Sequence, residues 1–310
     1  MIVATVGSLP VWLGGAAAVD RMIGVIGYQA PGRQIVALGP RRYAVERPFG
    51  RWPSTDGRVT DVAVSQKGVH VLLREDPFGP TNGPRVVTVD EDGGFLSAWG
   101  ADLVADAHMI AVDGERLLIV DRDAHQVVIT SLRGERLGAI GERHRPLEPF
   151  NHPTCVAAAP DGSIYVSDGY AGSSIHHFAR DGQFVHSWGS FGEGPGQFIN
   201  PHALWVMRDG RVVVADRENG RLQVFDPGGA LLAIWRGFRR PADLWGDGED
   251  LLYVVDAVPS LTLLDGGGTV LGRCRPVLDG AHGISGDAAG RLYLAEGSPS
   301  RVTRLTPVPS

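Results

Sequence analysis

Residues 153–189 read PTCVAAAPDGSIYVSDGYAGSSIHHFARDGQFVHSWG, and residues 201–235 read PHALWVMRDGRVVVADRENGRLQVFDPGGALLAIW. Both follow one outline: a short apolar strand, an Asp-Gly turn, a second apolar strand ending in Asp, a polar loop, then two further strands about another tight turn. Asp-Gly is a strong hairpin signal, because glycine accepts the left-handed backbone that such turns require. Outward from these two, the outline recurs in VTDVAVSQKGVHVLLRED (59–76), HMIAVDGERLLIVDRDAHQVVIT (108–130), PADLWGDGEDLLYVVDAVPSLTLLDGGGTVLGRC (241–274) and AHGISGDAAGRLYLAEGSPSRVTRL (281–305). Six copies at a period of about 40–48 residues, each supplying three or four strands, predict an all-β chain folded as a six-bladed β-propeller. The sixth copy runs out at Pro307 after three strands, leaving an open sheet edge, which propellers commonly remove by pairing with the other end of the chain. RQIVALG (33–39) or RRYAVE (41–46) is expected to supply that strand. The propeller is thereby assigned to 41–310, and 1–40 to an N-terminal extension that includes or abuts the ring-closing strand.

Composition narrows the function classes. With 43 Gly, 21 Pro, 43% hydrophobic and 21% charged residues, the chain is too apolar for disorder and too rich in turn residues for a helical bundle. A net charge of −6 supplies no clustered cations for a polyphosphate or an anionic surface, so neither nucleic acid nor membrane is expected as a partner. Cys155 and Cys274 fall in different repeats at different strand depths, which argues against a disulfide. Met1 to Val19 carry no charge, yet no Lys or Arg precedes the apolar stretch, and Pro10, Gly14 and Gly15 interrupt it. Neither a secretory leader nor a spanning helix fits this segment, so a cytoplasmic location is expected, with export the less favoured alternative, and a monomer is expected.

Aligning the repeats on their first strands places Thr60, His108, Thr154, His202, Ala242 and His282 at one position. The second, fourth and sixth repeats each present a histidine there, and first strands surround the central channel, so three imidazoles converge on the axis. Three neutral imidazoles with a fourth position left open match a catalytic zinc, whereas a structural zinc takes four protein ligands and no cysteine lies in register. His108, His202 and His282 are therefore the expected ligands of one Zn2+; iron, copper or nickel suits the same donors. Recurring Asp121, Asp168, Asp216, Asp256 and Glu296 read as structural loop acceptors, because chemistry is not repeated in every blade. His125, His176, His177 and His186 lie outside the register and are expected on blade surfaces, with His152 at most behind the ligands.

The stretches FNHPTCVAAAPDGSIYVSDGYAGSSI (150–175) and GEGPGQFINPHALWVMRDGRVVVADRENGRLQVF (192–225) resemble the peptidyl-alpha-hydroxyglycine alpha-amidating lyases among the NHL-repeat propellers, and the likeness extends from about Trp52 to Thr306. The resemblance implies a central zinc on three histidines and a catalytic tyrosine, matched here by Tyr170. It also implies active-site arginines, matched by Arg217 and Arg74, and cleavage of a carbinolamide to an amide and glyoxylate. A small-molecule or peptide substrate is expected on the same ground. Two departures bear on the site. Gly280 stands where the family has a methionine, which suggests added space beside the metal and a different or bulkier substrate. Gly283 replaces an acid that helps hold a structural calcium, so that Ca2+ is not expected here. Two other readings stay open: a related metalloenzyme acting on another small molecule, and a non-catalytic propeller that presents its loops to a protein partner.

Overall fold

The protein is described by a computed structural model covering residues 34–75, 83–277 and 279–309. Every regular element in it is a strand, and the strands form six antiparallel sheets. Blade 1 runs from Arg58–Ser65 to Phe95–Trp99, blade 2 from Ala107–Asp113 to Arg136–Ile140, and blade 3 from Pro153–Ala158 to Phe184–Trp188. Blade 4 runs from Pro201–Val206 to Leu231–Arg236 and blade 5 from Pro241–Gly246 to Val270–Cys274, each of these five sheets having four strands in sequence order. The first strand of every blade packs against the first strands of both neighbours, in a cycle that returns from blade 6 to blade 1. The chain is thus a closed six-bladed propeller.

Second and third strands are covered on both faces by adjacent blades. They therefore read as unbroken apolar runs, such as the fully buried Val212–Asp216, rather than as alternating ones. Fourth strands, at the rim, are half exposed, as Phe184–Trp188 shows. Tryptophans at the ends of three fourth strands reach the hairpin turn of the next blade: Trp99, Trp188 and Trp235 lie where a Cβ at Gly134, Gly229 or Gly268 would sit.

Blade 6 joins the two ends of the chain. Its first three strands, Ala281–Gly286, Leu292–Gly297 and Ser300–Pro307, are followed in the sheet by Arg41–Phe49 and then Ile35–Leu38. Ala44 lies opposite Thr306 on one side and Ile35 on the other. Of the two candidate segments, the second pairs directly with the last strand and the first becomes an outer fifth strand. Arg41 also reaches blade 5, at 3.2 Å from both Asp247 and Glu249. Residues 1–33, with the uncharged stretch Met1 to Val19, lie outside the described residues.

Acidic side chains fasten the segments that enter the first strands. Asp121 accepts from the Ala105 and Asp106 N–H groups, Asp168 from Asn151 and His152, Asp216 from Ile199, and Asp256 from Arg239 and Arg240. This is the structural role read from their recurrence. A second set ties blade to blade. Asp61 accepts from Val62 and, across to blade 2, from Ile110; Asp243 accepts from Leu244 and, across to blade 6, from Ile284, all at 2.8 Å. Burial holds the Asp243 carboxyl up at about 7, and burial together with the Asp243 charge raises Asp61 well above the usual range.

Two outcomes follow from this architecture. Proline at Ala44 removes a ladder bond from the strand that closes the ring, and is expected to lower the thermal midpoint by on the order of 10 °C. Circular dichroism melting checks this; an unchanged midpoint would mean the ring holds without that strand. The unfolded chain releases the Asp243 proton near pH 4, roughly the model-peptide value, and the folded chain near 7, so this site's contribution is full below about pH 4 and lost as pH rises through 7. Asp243→Asn has no proton to lose. Its midpoint relative to wild type should therefore move in the variant's favour between about pH 5 and 8. A difference independent of pH would rule out this titration.

Candidate metal centre

The ladder between first and second strands slips by one residue at the same place in every blade. The slip falls between Val59 and Asp61, Ala107 and Ile110, Pro153 and Cys155, Pro201 and Ala203, Pro241 and Asp243, and Ala281 and Gly283. The register residues Thr60, His108, Thr154, His202, Ala242 and His282 occupy these β-bulges. A bulge leaves a residue out of the ladder and re-aims its side chain, which here turns it to the axis. It also leaves a carbonyl without its ladder partner, and these carbonyls are used. His108 Nδ1 lies 2.6 Å from the Thr154 carbonyl, His202 Nδ1 2.6 Å from that of Ala242, and His282 Nδ1 2.8 Å from that of Thr60.

A carbonyl only accepts, so each Nδ1 carries the hydrogen and each Nε2 keeps its lone pair. The three rings meet edge to face with centroids 5.0–5.1 Å apart, and one ligand atom from each lies within 4.8 Å of the others. Burial, reinforced by the charges of the other histidines, lowers His108 well below the ordinary imidazole value. Burial, then the charges of His282 and Arg217, does the same to His202, and burial brings His282 to about 4. The rings are neutral at pH 7. Three neutral nitrogen donors of fixed tautomer, backed by carbonyls, form a set that can bind a divalent transition metal.

Tyr170 joins the same centre. Its hydroxyl is 3.0 Å from His108 Nε2 and 3.2 Å from His202 Nε2. The loop that carries it is clamped by Asn151 Nδ2, which donates to the Ala171 carbonyl at 2.9 Å. It passes so close to the His202 strand that a Cβ at Gly169 would stand 2.4 Å from the Pro201 carbonyl, so only glycine fits.

Both expected arginines face the centre. Arg217 lowers the pKa of His202 and His282 through its charge, and its Nε is buried without a hydrogen-bond partner among the described residues. Arg74 is held by Asp106, with Nε at 2.5 Å and Nη2 at 3.1 Å from its two oxygens. The sequence reading missed Arg122, whose guanidinium stands 5.1 Å from the centroid of the Tyr170 ring and 2.9 Å from Asp106. The repeats carried the signal: Asp121 and Asp216 end the second strands of blades 2 and 4, and Arg122 and Arg217 directly follow them.

Several expectations need correction. Gly280 opens no space, because a Cβ there would meet the Ala257 carbonyl oxygen at 2.4 Å and the Ala257 Cα at 2.7 Å; the neighbouring backbone occupies the place. The place of a side chain at Gly283 is filled by the Asp61 carboxylate of blade 1, 1.9 Å from the would-be Cβ. His125 and His176 are buried rather than on the blade surface, His125 against His152 at 4.7 Å and His176 against Phe150 at 5.3 Å between centroids. His177 and His186 are half-buried and pair across strands. The expectation for the cysteines needs no correction: Cys155 and Cys274 are both free thiols.

With this geometry in hand, known proteins can be compared. The NHL repeat family matches residues 198–225, the segment that carries His202 and Arg217. Peptidyl-glycine alpha-amidating monooxygenase of Mus musculus is 31% identical over 56% of this chain and 21% of its own length. Peptidyl-alpha-hydroxyglycine alpha-amidating lyase 1 of Drosophila melanogaster is 32% identical over 56% of this chain and 39% of its own length. NHL repeat-containing protein 3 of Mus musculus is 34% identical over 54% and 51%. The chain thus spans from about a fifth to about a half of the length of these relatives. Among solved structures, a gluconolactonase from Xanthomonas campestris superimposes with a TM-score of 0.62 at 17% identity, covering 90% of this chain and 96% of that one, a likeness of fold alone. The chain is a six-bladed β-propeller that carries an NHL repeat and resembles the peptidyl-alpha-hydroxyglycine alpha-amidating lyases.

Proposed function

We propose that the chain is a zinc-dependent carbon–nitrogen lyase that cleaves an N-acyl hemiaminal, with a peptidyl-alpha-hydroxyglycine as substrate and a peptide amide and glyoxylate as products. The observation that carries this reading is the focus of three neutral imidazole nitrogens beside the Tyr170 hydroxyl, with arginines around it. The names of the amidating relatives support the reaction class.

His108, His202 and His282 would hold a metal ion, which when bound would supply Lewis-acid polarisation of the substrate hydroxyl. Tyr170 takes the hydroxyl proton. As that O–H pair becomes the carbonyl of glyoxylate, the carbon–nitrogen bond breaks with its electrons passing to nitrogen, and Tyr170 returns the proton there. Proton and electron pairs balance with no further reactant. Arg122 over the ring sets a cation beside Tyr170, which favours the negative charge its oxygen carries while exchanging the proton. Arg217, whose charge acts on His202 and His282, binds the substrate carboxylate and sets the scissile bond against Tyr170.

Purified protein should hold about one transition-metal ion per chain and release glyoxylate from an N-acyl-α-hydroxyglycine, with chelation abolishing turnover and zinc restoring it. His202→Ala is expected to hold the ion only substoichiometrically. Tyr170→Phe should keep its metal and lose about 10²–10⁴ in kcat, and Arg217→Gln should act chiefly on KM. Elemental analysis beside a glyoxylate assay decides the matter: wild type without a stoichiometric transition metal ends the metalloenzyme reading, and metal without glyoxylate ends the substrate assignment.

A further inference from the structure

On the face of the ring that carries the metal centre, a recess of about 510 Å³ opens between blades 3 and 4. It begins at Tyr170 and is walled by Ser174, Ser190, Phe191, Ile199 and Asn200. Phe191 is 73% exposed, an uncommon position for an aromatic side chain unless something covers it.

Its loop is not loose. The Phe198 N–H donates to the Ser190 carbonyl at 2.8 Å, and the Gly192 N–H to the Phe198 carbonyl at 3.1 Å. The buried Arg221 guanidinium donates to the carbonyls of Glu193, Gly194 and Gln197 at 2.7–2.9 Å, with its Nε on Asp216. A rigidly held, exposed aromatic beside a reactive centre is built for contact. The Ala257 backbone fills the place of a side chain at Gly280, whereas the recess between blades 3 and 4 leaves room beside Tyr170.

We propose that this recess receives the residue that precedes the hydroxyglycine, and that it selects an apolar side chain of leucine to phenylalanine size, packed between the Tyr170 ring and Phe191. The inference rests on the lyase reading above and adds the substrate preference. Serines on the wall meet the peptide backbone on either side of that side chain.

The test compares N-acetyl-phenylalanyl-α-hydroxyglycine with N-acetyl-glycyl-α-hydroxyglycine on wild type and Phe191→Ala. Wild type should favour the phenylalanyl substrate by about tenfold or more in kcat/KM, and Phe191→Ala should shrink that ratio by about tenfold, the effect of losing one aromatic contact. Calorimetric binding of N-acetyl-phenylalaninamide and N-acetyl-glycinamide gives a readout that needs no turnover. Equal rates on the two substrates, or a ratio unmoved by Phe191→Ala, overturn the subsite while leaving the lyase reading intact. If neither substrate is cleaved yet the phenylalaninamide binds tighter in a manner that depends on Phe191, the subsite stands and the reaction assignment falls.

Discussion

Three hydrogen bonds organise the centre of this molecule, each running from an imidazole Nδ1 of one blade to the bulge carbonyl of the next: His108 to Thr154, His202 to Ala242, and His282 to Thr60. Each sets a tautomer and a ring direction, and together they turn three Nε2 lone pairs to one place. They also couple the centre to the integrity of the ring. The bond from His282 to Thr60 crosses from blade 6 to blade 1, the seam that Arg41–Phe49 closes. Opening that seam would remove a donor from the focus, so the N-terminal strand supports the chemistry from the outer edge of a blade.

The β-bulge links backbone to function. A regular ladder would satisfy the carbonyl of every register residue and turn its side chain to a blade face; one extra residue releases the carbonyl and aims the side chain inward. All six blades carry this irregularity, and three of them place a histidine on it. The alternation is economical: histidine blades supply donors to the centre, and the intervening blades, with Thr60, Thr154 and Ala242, supply the acceptors that hold them. Acidic residues at the second-strand ends fasten the segments entering these bulges, as Asp121 does ahead of His108 and Asp216 ahead of His202.

Electrostatics separates the two sides of the imidazole plane. Toward the open mouth stand Arg74, Arg122 and Arg217, two of them sharing Asp106. Deeper in the channel stand the carboxyls of Asp61 and Asp243, both raised by burial. A mouth with cationic side chains carries a positive potential, while the deeper acids are occupied in joining blades.

The propeller was legible because repetition multiplies a weak signal: Asp-Gly turns, apolar runs ending in an acid and a fixed period recur until chance is excluded, and the same register brought His108, His202 and His282 to one level. Tyr170, Arg217 and Arg74 were legible only through resemblance; the structure sets the Tyr170 hydroxyl against two of the histidines and the two arginines where their charge acts on the rings. Arg122 and Asp106 were missed because their roles depend on which blades adjoin, a relation between residues far apart in the chain that no local pattern encodes. Gly280 misled for a related reason: a missing side chain leaves space only if no neighbouring backbone occupies it, and here Ala257 does. The amino-acid order by itself determined the number of blades and the residues facing the axis, since both follow from period and alternation. Tertiary structure alone decided which nitrogen of each histidine points inward, which segment seals the ring and where room is left beside the centre, because each of these is set by contacts between neighbouring blades.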